Sequence, residues 1–242
     1  MKITPNPELD KVIIDHLANL YGIFNRREPN HLSTYIYCLT KAYWEEKAPI
    51  KPTNEEVLLF SLGYGLQDVL TPTSAVVPVY EQDGIVYRPD LELQELFDWP
   101  AEIKTTRASP KTFSEKGFPD TWFEYMMGVC FLRGVRKYEL IPLYLMGYWR
   151  PPVPMLQCQS IEFEEDEILD NWSNITSRKN VLDSCLQLEV VPQPFQWCKD
   201  WECAHCRYKM VCDAQVLLKG YDDVKVDQRE QELIEGEVDN GY

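Results

Sequence analysis

The chain has 242 residues, 45% apolar and 26% charged, which is the balance of a globular domain with enough chain to bury a core. Its net charge of −15 is unlike that of most DNA-binding proteins. No basic n-region followed by an apolar stretch opens the sequence, and the longest apolar run, Tyr138 to Trp149, contains Pro142 and is shorter than the ~20 residues of a membrane span, so a cytoplasmic protein without membrane association is expected.

The charge is concentrated. Residues 221–242 hold eight acids against two bases, and Ile161–Asp170 (IEFEEDEILD) holds six acids and no base. These two runs carry most of the excess and read as a disordered tail and a solvated helix face. Eight cysteines in a cytosolic chain favour metal or cluster ligation over disulfides.

In chain order, Leu9–Leu20 and Leu32–Glu46 read as amphipathic helices, the second begun near Asn30 or Ser33. A third helix follows Thr53, which with Glu56 forms a capping-box pattern. Ala75–Tyr80, Ile85–Leu93 and Leu96–Lys104 are short alternating or β-branched segments, the first two split by the turn signal Gln82-Asp83-Gly84, and together they suggest an antiparallel meander. Thr105–Gly117 reads as a polar loop, Asp120–Arg133 as a helix, Tyr138–Trp149 as a buried strand and Glu162–Leu188 as one or two long helices. Prolines 192 and 194 open a cysteine-rich end. The order is that of a mixed α/β core with helices on both sides.

Two constellations carry chemistry. The first lies in YRPDLELQELFDWPAEIKTT, where Pro89-Asp90 is followed by Glu102-Ile103-Lys104. Two carboxylates at the ends of adjacent strands can share one hard divalent cation such as Mg²⁺, the cation that phosphodiester hydrolysis uses. On a strand Glu102 and Lys104 share a face, with Ile103 turned into the core and its carbonyl free to act as a ligand. Lys104 is then placed to orient the attacking water and offset charge on the phosphate. A solvated Glu–Lys pair on a surface strand has the same local pattern, and Glu92 and Asp98 compete with Asp90 as the first acid.

The second constellation is WCKDWECAHCRYKMVC, with Cys198, Cys203, Cys206 and Cys212. The Cys203-x2-Cys206 spacing is that of a metal knuckle, and three of these thiols can also combine with the distant Cys38. Spacing alone leaves zinc and iron–sulfur open, with zinc the simpler reading. Cys130, Cys158 and Cys185 read as small buried hydrophobes.

Taken together in this order, Ser33-x4-Cys38-x4-Tyr43-Trp44, Pro89-Asp90, Glu102-Ile103-Lys104 and Cys203-x2-Cys206-x5-Cys212 resemble the RecB-like branch of the PD-(D/E)xK nucleases. The chain looks closest to the iron–sulfur exonucleases associated with CRISPR adaptation and to their phage-encoded relatives. The resemblance runs from about residue 28 to residue 215. It implies a restriction-endonuclease-like mixed sheet flanked by helices, with an iron–sulfur lobe joining the N- and C-terminal parts. It implies a single nuclease domain over residues 1–220, with a catalytic core of about 53–150, a cluster lobe from 28–48 and 195–215, and an acidic, disordered tail over 221–242.

By the same resemblance, Cys38, Cys203, Cys206 and Cys212 ligate a 4Fe–4S cluster and Cys198 does not. Asp90, Glu102 and the Ile103 carbonyl bind Mg²⁺ or Mn²⁺, and Lys104 is the catalytic lysine. The implied activity is a metal-dependent DNA exonuclease acting on single strands or DNA ends, with endonuclease activity in some members. Two departures stand out. Gln67 occupies the place of a metal-binding histidine. Where related chains carry Gln-x3-Tyr on a helix, this one has Glu124-x3-Gly128, leaving Glu124, Tyr125 and Arg107 as candidate substrate contacts. Further basic candidates for phosphate are Arg26, Arg27, Lys111, Arg133, Arg136 and Lys137, and Tyr35, Tyr43, Trp44, Tyr64 and Trp122 are candidates for base stacking. His31 reads as a helix-start cap and His205 as a bystander. Two other readings stand beside the nuclease. One is a catalytically weakened DNA-binding or adaptor module that serves a protein partner in integration, recombination or replication. The other is a zinc-bound structural protein.

Overall fold

In the computed structural model, residues 5–23, 30–70, 78–89, 100–148, 154–192, 200–204 and 206–215 are described. The first helix, α1 (Pro7–Leu20), starts where the Asn6 side chain accepts from the Leu9 N–H at 3.1 Å and Pro7 sets the first helical φ. It buries Ile14 and Ala18 against Val57 of α4 (Asn54–Leu70). The Thr53–Glu56 capping box that opens α4 is formed in both directions, at 2.8 and 3.3 Å. Thr53→Ala is expected to cost about 1 kcal/mol of stability, measured by urea unfolding, and Thr53→Ser to retain most of it.

One helix is expected over Leu32–Glu46, and the structure has two, α2 (Leu32–Ile36) and α3 (Leu39–Lys47). The break has a physical cause. The Ile36 and Tyr37 carbonyls both accept from Nη2 of Arg178 at 2.8 Å, so they are drawn out of the helical ladder. Cys38 sits at the break in extended backbone, and its N–H donates to Glu202 at 3.0 Å. His31 caps α2, its Nδ1 accepting from the Ser33 N–H at 3.3 Å, as read from the sequence.

β1 (Tyr80–Gln82) and β2 (Ile85–Tyr87) form an antiparallel hairpin. Asp83 and Gly84 both have positive φ, 54° and 69°, the geometry in which a two-residue turn follows the twist of its strands. The Trp172 indole donates to Asp83 at 2.8 Å and ties this turn to the long helix. Among the described residues β3 (Ala101–Thr106) does not join this hairpin, and residues 75–77 and 90–99 of the expected meander lie outside them. β3 pairs in parallel with β4 (Lys137–Tyr144), with Glu102 opposite Leu140. A parallel neighbour needs a crossover, and α5 (Pro110–Lys116) and α6 (Asp120–Arg133) supply it. The loop expected over Thr105–Gly117 therefore holds a helix, capped by the Ser109 hydroxyl and begun at Pro110. β5 (Met155–Leu156) and β6 (Gln159–Glu162) run antiparallel to β4 and complete a mixed sheet.

α7 (Glu165–Leu188) opens with a capping box between Glu164 and Glu167 and lies across α6. The main core gathers Leu32, Tyr35 and Leu39 from α2 and α3, Met126 and Val129 from α6, Tyr138 and Leu140 from β4, and Trp172 and Ile175 from α7. Phe131 and Trp172 stack at 4.4 Å within it. A short helix, α8 (Asp200–Ala204), leads into the last described segment. The expected mixed α/β core with helices flanking the sheet is present. No helix among the described residues is long and apolar enough to cross a membrane. The acidic tail, Arg26, Arg27, Cys198 and His205 lie outside the described residues.

Candidate active site and cysteine site

β3 carries Glu102 and Lys104 on one face, as the period of a strand requires. That face is the one toward the main core. Glu102 is only 3% exposed, and its carboxylate is held from two sides. Lys104 Nζ donates to Oε1, and the Tyr138 hydroxyl, from the neighbouring strand, donates to Oε2 at 2.9 Å. A carboxylate this deep requires such partners, because an unpaired buried charge is costly. Lys104 Nζ also stands 5.1 Å above the ring of Tyr125 in α6, itself edge-on to Tyr87 in β2. Burial pushes the pKa of the Tyr138 hydroxyl well above the ordinary tyrosine value, and the neighbouring Glu102 charge pushes the same way. Tyr138 is therefore a neutral donor at any physiological pH.

Ile103 does not turn into the main core. It packs with Ala101 and Ile141 in a small cluster on the opposite face. Its carbonyl has a defined direction nonetheless. The Glu139 and Leu145 N–H groups donate to the Pro100 and Thr106 carbonyls at 2.9 Å, so the even-numbered residues of β3 bond to β4. Bonding residues alternate along a parallel ladder, which points the Ile103 carbonyl to the other edge of β3. No strand pairs with that edge among the described residues. α4, which bears Gln67, packs beside β3, although the Gln67 side chain lies outside what is described. Pro89 is buried just beyond β2, and Asp90, Glu92 and Asp98 fall outside the described residues.

The helix that follows departs from the Gln-x3-Tyr pattern for a packing reason. At Gly128 a Cβ would sit 3.1 Å from both Ile175 and Leu32, so α6, α2 and α7 meet where a tyrosine has no room. Tyr125, one turn earlier, reaches Lys104 instead. Gly128→Val is expected to overpack this junction and cost about 1–3 kcal/mol in urea unfolding. Glu124 lies 3.6 Å from Arg178 Nη1. Arg107 is exposed just past the end of β3.

The four cysteines singled out by the resemblance come from the two ends of the chain to one place. Cys38 is buried, and Cys203, Cys206 and Cys212 are half-buried. Burial pushes the Cys212 thiol up to about 11, with Cys38, Cys206 and Cys203 adding to the shift. Burial also raises Cys206, and Cys38 and Cys203 contribute again. Such mutual influence means that the thiols are near neighbours. They are not packed around a point, since no three His, Cys, Asp or Glu side chains among the described residues could hold one metal ion as placed. Tyr208 and Arg207 fasten this segment to the α3 end. The Tyr208 hydroxyl accepts from the Ile50 N–H at 3.0 Å, and Arg207 donates to the Ile50 carbonyl at 3.0 Å. Among the other cysteines, Cys130 is buried as expected and its thiol is pushed up to about 12 by burial. Cys158 is exposed between β5 and β6, contrary to the buried reading, because that connection lies on the surface.

Tyr138, Arg178 and Glu202 escaped the sequence reading. A tyrosine inside a fully buried strand must find a partner for its hydroxyl, which was the available signal for Tyr138.

No protein-family model matches the chain, and no curated protein matches it in sequence. Among solved structures, the crystal structure of SSO0001 is similar over 84% of this chain and 94% of that one, with a TM-score of 0.51 and 17% identity. An alkaline exonuclease from Laribacter hongkongensis (LHK-Exo) is similar over 69% of this chain and 94% of that one, with a TM-score of 0.43 and 11% identity. The first likeness shows that this chain shares the fold of SSO0001.

Proposed function

We propose that the protein is a metal-dependent DNA nuclease of the PD-(D/E)xK type that digests single strands or DNA ends. The observation that carries this reading is the buried Glu102 carboxylate paired with Lys104 on β3, beside an Ile103 carbonyl aimed at the edge of β3 that no strand pairs with among the described residues. Hard oxygen donors of this kind fit Mg²⁺ or Mn²⁺. Asp90, Glu102 and the Ile103 carbonyl would hold the ion, with Gln67 as a further ligand. A divalent cation bound there would polarise the scissile phosphate and make its bound water a stronger acid than free water. Within the protein, Lys104 would present its ammonium toward the scissile phosphate. The Tyr125 ring lies under that ammonium while it is bonded to Glu102.

The cysteine set fits a 4Fe–4S cluster on Cys38, Cys203, Cys206 and Cys212. Four thiolates on one zinc, each at ~2.3 Å, stand about 3.8 Å apart, whereas a four-iron cluster gives each thiolate its own iron and spreads them more widely. The cluster would fasten the chain's two ends around the core.

The test is anaerobic purification followed by incubation with end-labelled single-stranded DNA and Mn²⁺, beside Glu102→Ala. A brown protein whose digestion vanishes in the variant supports the reading. A folded brown protein that leaves DNA intact in both Mn²⁺ and Mg²⁺ sinks it and favours a binding or adaptor module acting with a protein partner in integration, recombination or replication. A colourless protein that holds zinc removes the cluster.

A further inference from the structure

The Glu102 carboxylate has two oxygens, and the fold treats them differently. Oε1 is bonded by Lys104, a flexible, partly exposed side chain whose ammonium stands over the Tyr125 ring at the same time. Oε2 is bonded by Tyr138, which is 0% exposed and has its backbone paired with Ile161 in the antiparallel ladder of β4 and β6. One partner can leave without disturbing the core and the other cannot. The fixed partner is also uncharged. A cationic donor at Oε2 would repel an incoming metal ion, while a phenol holds the oxygen and leaves the carboxylate its full negative charge.

Resting on the metal-site reading above, we propose that Tyr138 is a positioning residue for metal capture. It fixes the plane of the Glu102 carboxylate through Oε2 so that Oε1 alone is exchanged between Lys104 and the divalent cation. Without the phenol hydroxyl, Glu102 can rotate and follow Lys104, and the ion meets a mobile ligand. Partners that orient a metal ligand in this way typically contribute about 10–100-fold to metal affinity.

Tyr138→Phe removes one oxygen from a site that keeps its ring packing, so the variant is expected to fold. Mn²⁺ binding is measured without DNA, by calorimetry, for the wild type, Tyr138→Phe, Glu102→Gln and Tyr144→Phe. Tyr144 is a second buried tyrosine on β4 and has no contact with Glu102, which makes it the control for loss of a buried hydroxyl. The expected result is a loss of affinity of about 10-fold or more in Tyr138→Phe and none in Tyr144→Phe. In digestion of single-stranded DNA, the half-saturating Mn²⁺ concentration should rise by the same factor, with the rate at saturating Mn²⁺ within about threefold of wild type. If Glu102→Gln loses binding and Tyr138→Phe keeps it, the positioning role is overturned and the metal site stands. If Tyr144→Phe weakens binding as much as Tyr138→Phe, the effect belongs to the strand and the role is overturned again. If Glu102→Gln binds Mn²⁺ like the wild type, the metal site is misplaced and the role falls with it.

Discussion

Lys104→Ala is expected to slow digestion of single-stranded DNA in Mn²⁺ by about 10²–10³-fold, the scale for removing one preorganised charge from a developing oxyanion. Mn²⁺ affinity should be unchanged or tighter, because Lys104 and the metal ion compete for Glu102 Oε1. That split, with activity lost and binding retained, separates a lysine that acts on the phosphate from one that only neutralises a buried acid. Lys104→Arg is not expected to rescue the rate, since a planar guanidinium cannot reproduce a compact ammonium held over the Tyr125 ring. Lys11, exposed on α1 and not among the candidate phosphate contacts, serves as the control and should have no effect on the rate when changed to alanine. Equal rates for Lys104→Ala and wild type would remove Lys104 from the chemistry.

Arg178→Met is expected to destabilise the protein by about 3–5 kcal/mol, measured by urea unfolding. The guanidinium ties several parts of the chain together at one point. It donates to the Ile36 and Tyr37 carbonyls, approaches Glu124 on α6, and shares the electrostatic neighbourhood of Glu202 and Cys38. Burial pushes its pKa down, and Glu124, Glu202 and Cys38 push it back up. Methionine fills similar volume yet leaves two carbonyls without their donor and two acids without their cation. Arg178→Lys should recover part of the loss, because one ammonium cannot serve both the α2 carbonyls and Glu124. Unfolding midpoints within about 0.5 kcal/mol of wild type for Arg178→Met would show that the α2–α3 break is set by something else.

Where local pattern decides structure, the sequence was readable. Thr53 and Glu56 form their capping box, Asp83-Gly84 makes its turn, and α6 spans Asp120–Arg133 as its periodicity indicates. Long-range partners were not readable. The helix over Leu32–Glu46 breaks because Arg178, about 140 residues away, takes its carbonyls, and nothing near Tyr37 announces that. β3 was assigned to a meander because its neighbours in sequence are strands, whereas its partner in space lies beyond two helices. For the site, the period of two on β3 put Glu102 and Lys104 on one face. It gave no sign that this face is the buried one, because a charged pair on a strand ordinarily marks the solvent side. Asp90 and the Gln67 side chain lie outside the described residues.

The clasp between the two ends also bears on how the protein is made. The Cys38–Glu202 bond joins positions 164 residues apart, and Arg207 reaches Glu45 across 162. During synthesis the Glu102–Lys104–Tyr138 cluster is complete once β4 has emerged, while α3 still waits for its covering segment. Translating residues 145–208 takes on the order of 3–13 s at ordinary speeds. For that interval Cys38 has no sulfur neighbours. On the proposed cluster reading, insertion is confined to the end of synthesis, and chains deprived of iron should keep a finished strand pair and an open clasp.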